Sequence, residues 1–156
     1  MFMIYVLQGL LTERLCGDDV KIVALDISEK MIEVLNQKQL PNVVTVTEPL
    51  SAESLASNLH LQRKFDLIVA SSVCSFLHNY DETLALIKGM LSPTGVFIQW
   101  DWLITSKNVS FGFTEEQVNT ALSKAGFTDI TVGVAFSFTG GEMGVFEHVL
   151  MGVGRN

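Results

Sequence analysis

The stretch VKIVALDISEKMIEVL, residues 20–35, decides the fold. Val20, Ile22, Val23, Ala24 and Leu25 make a short apolar run rich in β-branched residues, the pattern of a strand buried on both faces of a parallel sheet. Asp26 closes the run. Ser28 is then placed to cap a helix, Glu29 falls in its first turn where the helix dipole favours an anion, and Met31, Ile32 and Leu35 line one face that can lie on the sheet.

Asp26 is the first candidate functional residue, because a carboxylate at the carboxyl end of a parallel strand needs a polar partner and because ligands of open α/β sheets sit at that edge. Two readings stay open. A carboxylate there can accept from both hydroxyls of a nucleotide ribose, or it can simply close the following turn, as aspartate often does.

At 156 residues the chain fits one domain with one core, residues 1–156, in which 1–16 form a degenerate first strand and first helix. A formal charge of −7 opposes a phosphate backbone or an anionic membrane surface as partner, so no nucleic acid and no membrane is expected. Cys16 and Cys74 have no metal-ligand spacing, and no secretory signal is visible, so a cytoplasmic protein with two structural thiols and no metal is expected. The opening MFMIYVLQGLL is about half the length of a membrane span and reads as core.

Outward from residues 20–35 the pattern alternates. Residues 2–7 read as a strand or extended lead and 9–15 as a helix. Val43, Val44 and Val46 form the next strand, followed by Glu48 and Pro49, and Ser51 caps a short helix. Leu67, Ile68, Val69 and Ala70 form another buried strand ending at Ser71 and Ser72. Asp81 is expected to cap a helix carrying Leu84, Ile87, Met90 and Leu91, and a turn at 92–95 leads into the strand of Val96, Phe97, Ile98 and Trp100. Thr114 to Gln117 form a capping box ahead of Val118, Ala121 and Leu122, with Gly126 as the stop. Residues 130–138 and 145–153 are two β-rich runs joined near Gly140 and Gly141, too close for a crossover helix, so they should pair antiparallel.

The ordered set VALDISEKM, VTVTEP, FDLIVASS, LSPTGVFIQWDW and the terminal hairpin resembles the class I S-adenosylmethionine-dependent methyltransferases from about Gly9 to the end. The resemblance implies an α/β fold: a Rossmann-like methyltransferase sheet in three layers, parallel except for a C-terminal antiparallel hairpin. It implies S-adenosylmethionine as cofactor, with Asp26 on the ribose, Ile27 on the adenine, Glu48 and Pro49 at the adenine amino group, Ser71 and Ser72 at the methionine end, and Gly9 in the glycine loop. A nicotinamide-binding Rossmann fragment shares Asp26 but not the hairpin.

One departure stands out. The family's acid followed by GxGxG falls on Met3, Tyr5, Leu7 and Gly9, so only the last glycine remains, and Tyr5 and Leu7 bring side-chain bulk where backbone approaches the ligand. A late start or shifted frame, a pseudoenzyme, or a pocket completed by a second chain all fit. A first strand that is defective or missing leaves an unpaired sheet edge, which predicts a homodimer through the N-terminal segment.

The chemistry implied is an in-line displacement at a sulfonium methyl of a small-molecule substrate, uncharged or cationic, in which alignment matters most. A base is optional, and His78 and Asp101 are the candidates. Phe76, Tyr80, Trp100 and Trp102 are aromatic candidates near the mouth. His60 and His148 show no partner in the pattern. The rival reading is a non-catalytic binding or regulatory domain that keeps the fold while the glycine loop decays.

Overall fold

The computed structural model describes residues 1–5, 10–105, 111–137 and 148–156. Among the described residues seven strands form one sheet: β1 (Phe2–Tyr5), β2 (Ile22–Leu25), β3 (Val43–Val46), β4 (Phe65–Ser71), β5 (Leu91–Trp102), β6 (Thr128–Ser137) and β7 (His148–Arg155), in the order β3-β2-β1-β4-β5-β7-β6. The pairs from β3 to β5 are parallel, whereas β7 runs antiparallel to both β5 and β6. The last two positions therefore depart from the 3-2-1-4-5-6 order of dinucleotide-binding sheets, and they are the antiparallel pair that the β-rich C-terminal runs predicted.

The described α-helices cover the two faces: α1 (Leu10–Leu15), α2 (Glu29–Gln37), α3 (Ala52–Ser57), α4 (Tyr80–Met90) and α5 (Glu115–Lys124). The two-residue alternation of each strand decides which helix meets which side chain. Ile22, Ala24, Val69 and Trp100 face the layer of α1 and α2, where Leu11, Ile32 and Leu35 meet them. Met3, Val23, Ile68, Phe97 and Leu150 face the layer of α3, α4 and α5, against Leu84, Ile87, Val118 and Leu122. Each such side chain taken fully out of water contributes about 1.5–3 kcal/mol.

Local signals hold where hydrogen bonds can be named. Ser28 Oγ accepts from Met31 N–H at the start of α2, and Ser51 and Thr114 make capping boxes with Ser54 and Gln117. Gly126 ends α5 at φ +86°. Two expectations are corrected. Asn79, not Asp81, is the N-cap of α4, without a side-chain bond, and Asp81 lies in the first turn, where its charge suits the dipole. The residues expected as a turn at 92–95 lie inside β5, as an irregularity between the Phe65–Leu91 and Leu67–Val96 pairs.

The first strand, expected defective or missing, is formed. It is only four residues long, but Phe2, Met3 and Ile4 pair with β2 on one side and with β4 on the other. Met3, standing where the family has an acid, is fully buried. With both edges of β1 occupied, the unpaired edge that motivated dimerisation through the N-terminal segment is gone. Gly9 and Leu7, and the hairpin turn at Gly140 and Gly141, lie outside the described residues.

β7 needs glycine where α5 crosses it. A Cβ on Gly152 would lie 2.6 Å from Val118 Cγ1. Gly152→Ala is expected to destabilise the protein by about 1–3 kcal/mol through overpacking, seen as a lower urea midpoint at unchanged slope.

Candidate active site

β2 and β3 end side by side, with Leu25 opposite Val46, and Asp26 N–H donates to the Val46 carbonyl at 3.1 Å. This register brings Asp26 and Ile27 from one strand end, and Glu48 and Pro49 from the next, into the wall of one cavity of about 280 Å³. Val73, Phe76 and His78, from the segment after β4, line it as well. Its polar groups are the Asp26 and Glu48 carboxylates, His78 and Thr83, and its remaining wall is apolar, the usual make-up of a small-molecule site.

Both readings of Asp26 hold at once. Its Oδ1 accepts from Ser28 N–H at 2.8 Å and closes the turn into α2, while among the described residues nothing donates to Oδ2. Glu48 is similar: Oε1 accepts from Asn58 Nδ2 at 3.2 Å. Asn58 ends α3, ten residues along the chain, and no short motif marks it in the sequence. Ile27 is 73% exposed, an apolar side chain left uncovered at the rim of the cavity.

Ser71 and Ser72 stand at the end of β4 and are not part of the cavity's described wall. Ser71 pairs with Trp100, and Ser72 N–H donates to the Trp100 carbonyl at 2.6 Å. Ser72 has φ +53°, a left-handed conformation unusual for a residue other than glycine or asparagine and often concentrated at functional turns. The aromatic candidates separate. Phe76 pairs with Phe111 at 5.4 Å and Tyr80 with Phe113 at 4.7 Å between ring centroids, while Trp100 packs on the α1 side of the sheet. His148, expected without a partner, meets Ser137 Oγ through Nδ1 at 2.7 Å.

The two proton-transfer candidates lie in opposite environments. His78 is exposed on the cavity wall. Asp101 is 2% exposed, on the α4 side of β5. Ser75 N–H donates to Asp101 Oδ1 at 3.2 Å and Gln99 Nε2 to Oδ2 at 3.3 Å, while Tyr80 O–H donates to Gln99 Oε1 at 2.6 Å and so fixes the amide with its nitrogen toward the carboxylate. Burial pushes the Asp101 carboxyl up to about 6, against the opposing pull of the Ser75 N–H. Burial also pushes the Cys74 thiol and the Tyr80 phenol upward. This string of four side chains escaped sequence reading, because Gln99 and Cys74 look like ordinary strand and core residues until the sheet closes around them.

The sequence profile of the family described as "Methyltransferase domain" matches residues 6–97, more than half of the chain. The chain belongs to the methyltransferase domain family. Among solved structures, this methyltransferase domain is similar to the N-methyltransferase NodS of Bradyrhizobium japonicum WM9 in complex with S-adenosyl-L-homocysteine, with a TM-score of 0.76 and 19% identity over 99% of this chain and 76% of that one. It is similar to the Burkholderia thailandensis 1,6-didemethyltoxoflavin-N1-methyltransferase, with a TM-score of 0.74 and 20% identity over 99% and 70% of the two chains. It also resembles the [4+2]-cyclase SpnF, with a TM-score of 0.74 and 12% identity over 99% and 73%. Comparison with curated proteins gives no significant match. At these identities the structural likeness establishes the fold, and one fold carries different reactions.

Asp101 gives the methyltransferase domain a pH signature. Its folded value near 6 lies above the 3.8 of an unburied aspartate, so the folded state binds more protons between those values. The contribution of Asp101 to stability is then largest below about pH 4, falls as pH rises through 6, and is level above it. Asp101→Asn is expected to raise Tm at pH 7.5, with an upper bound on the order of 3 kcal/mol, and to leave Tm unchanged at pH 4. Calorimetric scans of the two proteins at both pH values check this.

Proposed function

We propose that the chain is an S-adenosylmethionine-dependent methyltransferase acting on a small-molecule substrate, with residues 1–156 working as one domain. The observation that carries the reading is the convergence of Asp26 and Glu48, from adjacent strand ends, on one cavity with apolar walls. The residues present fit the adenosine half of the cofactor. Asp26 Oδ2 and Glu48 Oε2 are acceptors without a described partner, suited to ribose hydroxyls and an adenine amino group, and Ile27, Pro49 and Phe76 suit a flat heterocycle. The cavity, about 280 Å³, is at the small end of the roughly 300–1,000 Å³ usual for such sites, matching part of the cofactor rather than all of it. NodS and the toxoflavin enzyme, similar in fold, are each described with S-adenosylhomocysteine bound.

The cofactor supplies a methyl group activated on a sulfonium. The chain's part is to hold the adenosine at the β2 and β3 ends, to exclude water behind Val73 and Phe76, and to align the acceptor, for which no covalent enzyme intermediate is needed. His78 is the accessible proton acceptor for a substrate that must lose a proton. Carboxylates around the mouth favour an uncharged or cationic substrate over an anion. Tyr5 and Leu7 in place of glycines weaken cofactor affinity, making this a low-activity form.

Those same two residues support a second reading, a methyltransferase-fold binding domain without catalysis. Titration calorimetry with S-adenosylmethionine, S-adenosylhomocysteine and NAD separates the outcomes. Heat with both sulfur nucleotides is expected; silence with both while the protein is folded rejects the methyltransferase reading, and heat with NAD alone replaces it with a nicotinamide site. Asp26→Ala is expected to weaken S-adenosylhomocysteine binding by about 10–100-fold, the loss of hydrogen bonds to a charged acceptor.

A further inference from the structure

Among the described residues the sheet ends at β3 on one side and at β6 on the other. β3 is four residues long, whereas β6 has ten. The outward row of backbone N–H and C=O groups on an edge strand is a template for another strand, and proteins guard it with lysine, proline or a short edge. β6, TDITVGVAFS, holds no lysine, arginine or proline, and Asp129 is its one charge. No residue of β6 is buried, although half of those in its neighbour β7 are. The register against β7 shifts between Thr128 and Thr131 and again between Val134 and Phe136, which leaves residues 131–134 regular at the centre of the strand. Ile130 and Val132 are only partly covered by the core on the α5 side, and Val134, on the same face as Val132 by strand alternation, is 48% exposed. An apolar stripe therefore runs along an edge that is long and almost without charge.

We propose that β6 is an interface for a second copy of this chain, the two β6 strands pairing antiparallel about a two-fold axis at Val132 and joining two sheets into one. The strand is complementary to itself in this register. Val132 stands opposite its own copy, Ile130 opposite Val134, and Asp129 opposite Ala135, so the stripe continues across the junction as β-branched pairs. The two Asp129 carboxylates are then about 20 Å apart, at roughly 3.4 Å per residue, and beyond the screening length at physiological salt, so no like charges meet. A strand with a single charge offers little to an acidic or a basic peptide, whereas two-fold pairing of identical chains needs only the backbone groups and the stripe that both copies carry. A junction of one strand with one strand is smaller than the interface of a permanent dimer, so the association is weak and depends on concentration. The cavity at the ends of β2 and β3 lies toward the other side of the sheet and stays open in the pair.

Sedimentation velocity of the wild type is the first test. The mass is expected to move from one chain toward two between about 5 and 300 µM, the range of a small interface. Val134→Glu places a carboxylate on the stripe beside Asp129 of the copy; since Val134 is half exposed in the single chain, Tm at 5 µM should not change, and the dissociation constant should rise at least about tenfold. Cross-linking reads the register. In a Cys16→Ser background, Val132→Cys should form an intermolecular disulfide on mild oxidation, because opposite residues of an antiparallel pair bring their Cα atoms within about 4.5–5.5 Å, inside the reach of a disulfide. Thr128→Cys, remote from its own copy in this register, should not. A mass of one chain throughout the range, a dimer that persists in Val134→Glu, or cross-linking that fails at 132 or is equal at 128 overturns the proposal.

Discussion

Parallel pairing of β1 between β2 and β4 is the constraint on which the site depends. Parallel neighbours cannot be joined by a tight turn, so each connection crosses over a face of the sheet and every strand from β1 to β5 ends at the same edge. The order runs outward as β1, β2, β3 on one side and as β4, β5 on the other. That reversal opens a crevice at the carboxyl ends, where ligands of such sheets bind. Asp26, Glu48, Ser72 and Asp101, spread over 75 positions of the chain, are neighbours of this edge because of it. A four-residue β1 suffices, since its partners hold it from both sides and Met3 fills the space beneath.

At that edge the polar residues divide into two kinds. Asp26 and Glu48 each give one oxygen to the protein, through Ser28 and Asn58, and among the described residues nothing donates to the other. That one bond orients each carboxylate at the wall of the cavity. Asp101 is different. Among the described residues Ser75, Gln99 and the Cys74 thiol hold it as neutral partners, and burial keeps its carboxyl above the ordinary aspartate range.

Much of the architecture could be read from local pattern. The run 22–25, the capping residues Ser28, Ser51 and Thr114, and the spacing of Val118, Ala121 and Leu122 each carry their own physical signal, because caps and amphipathic stripes are satisfied within a few residues. The antiparallel C-terminal pair was legible for the same reason, since the connection is too short for a crossover. The first strand was harder. Its family motif is lost at Met3, Tyr5 and Leu7, and whether residues 2–5 pair at all depends on β2 and β4, which are remote in sequence. The cap of α4 failed for a local reason, as Asn79 lies one residue before the first helical turn and Asp81 within it.

The amino-acid sequence alone determined the alternation of strands and helices, the acids at the two strand ends, and the resemblance that names the family, because these rest on side-chain periodicity and on short ordered motifs. Tertiary structure decided the rest. That Asp26 and Glu48 share one cavity follows from the β2–β3 register, and that Asp101 is buried follows from the alternation of β5 against α4 once the sheet has closed. Hydrogen bonds such as Asn58 to Glu48 and Tyr80 to Gln99 join residues 10 and 19 positions apart. Their energy depends on distance and exclusion of water, neither of which exists along an extended chain.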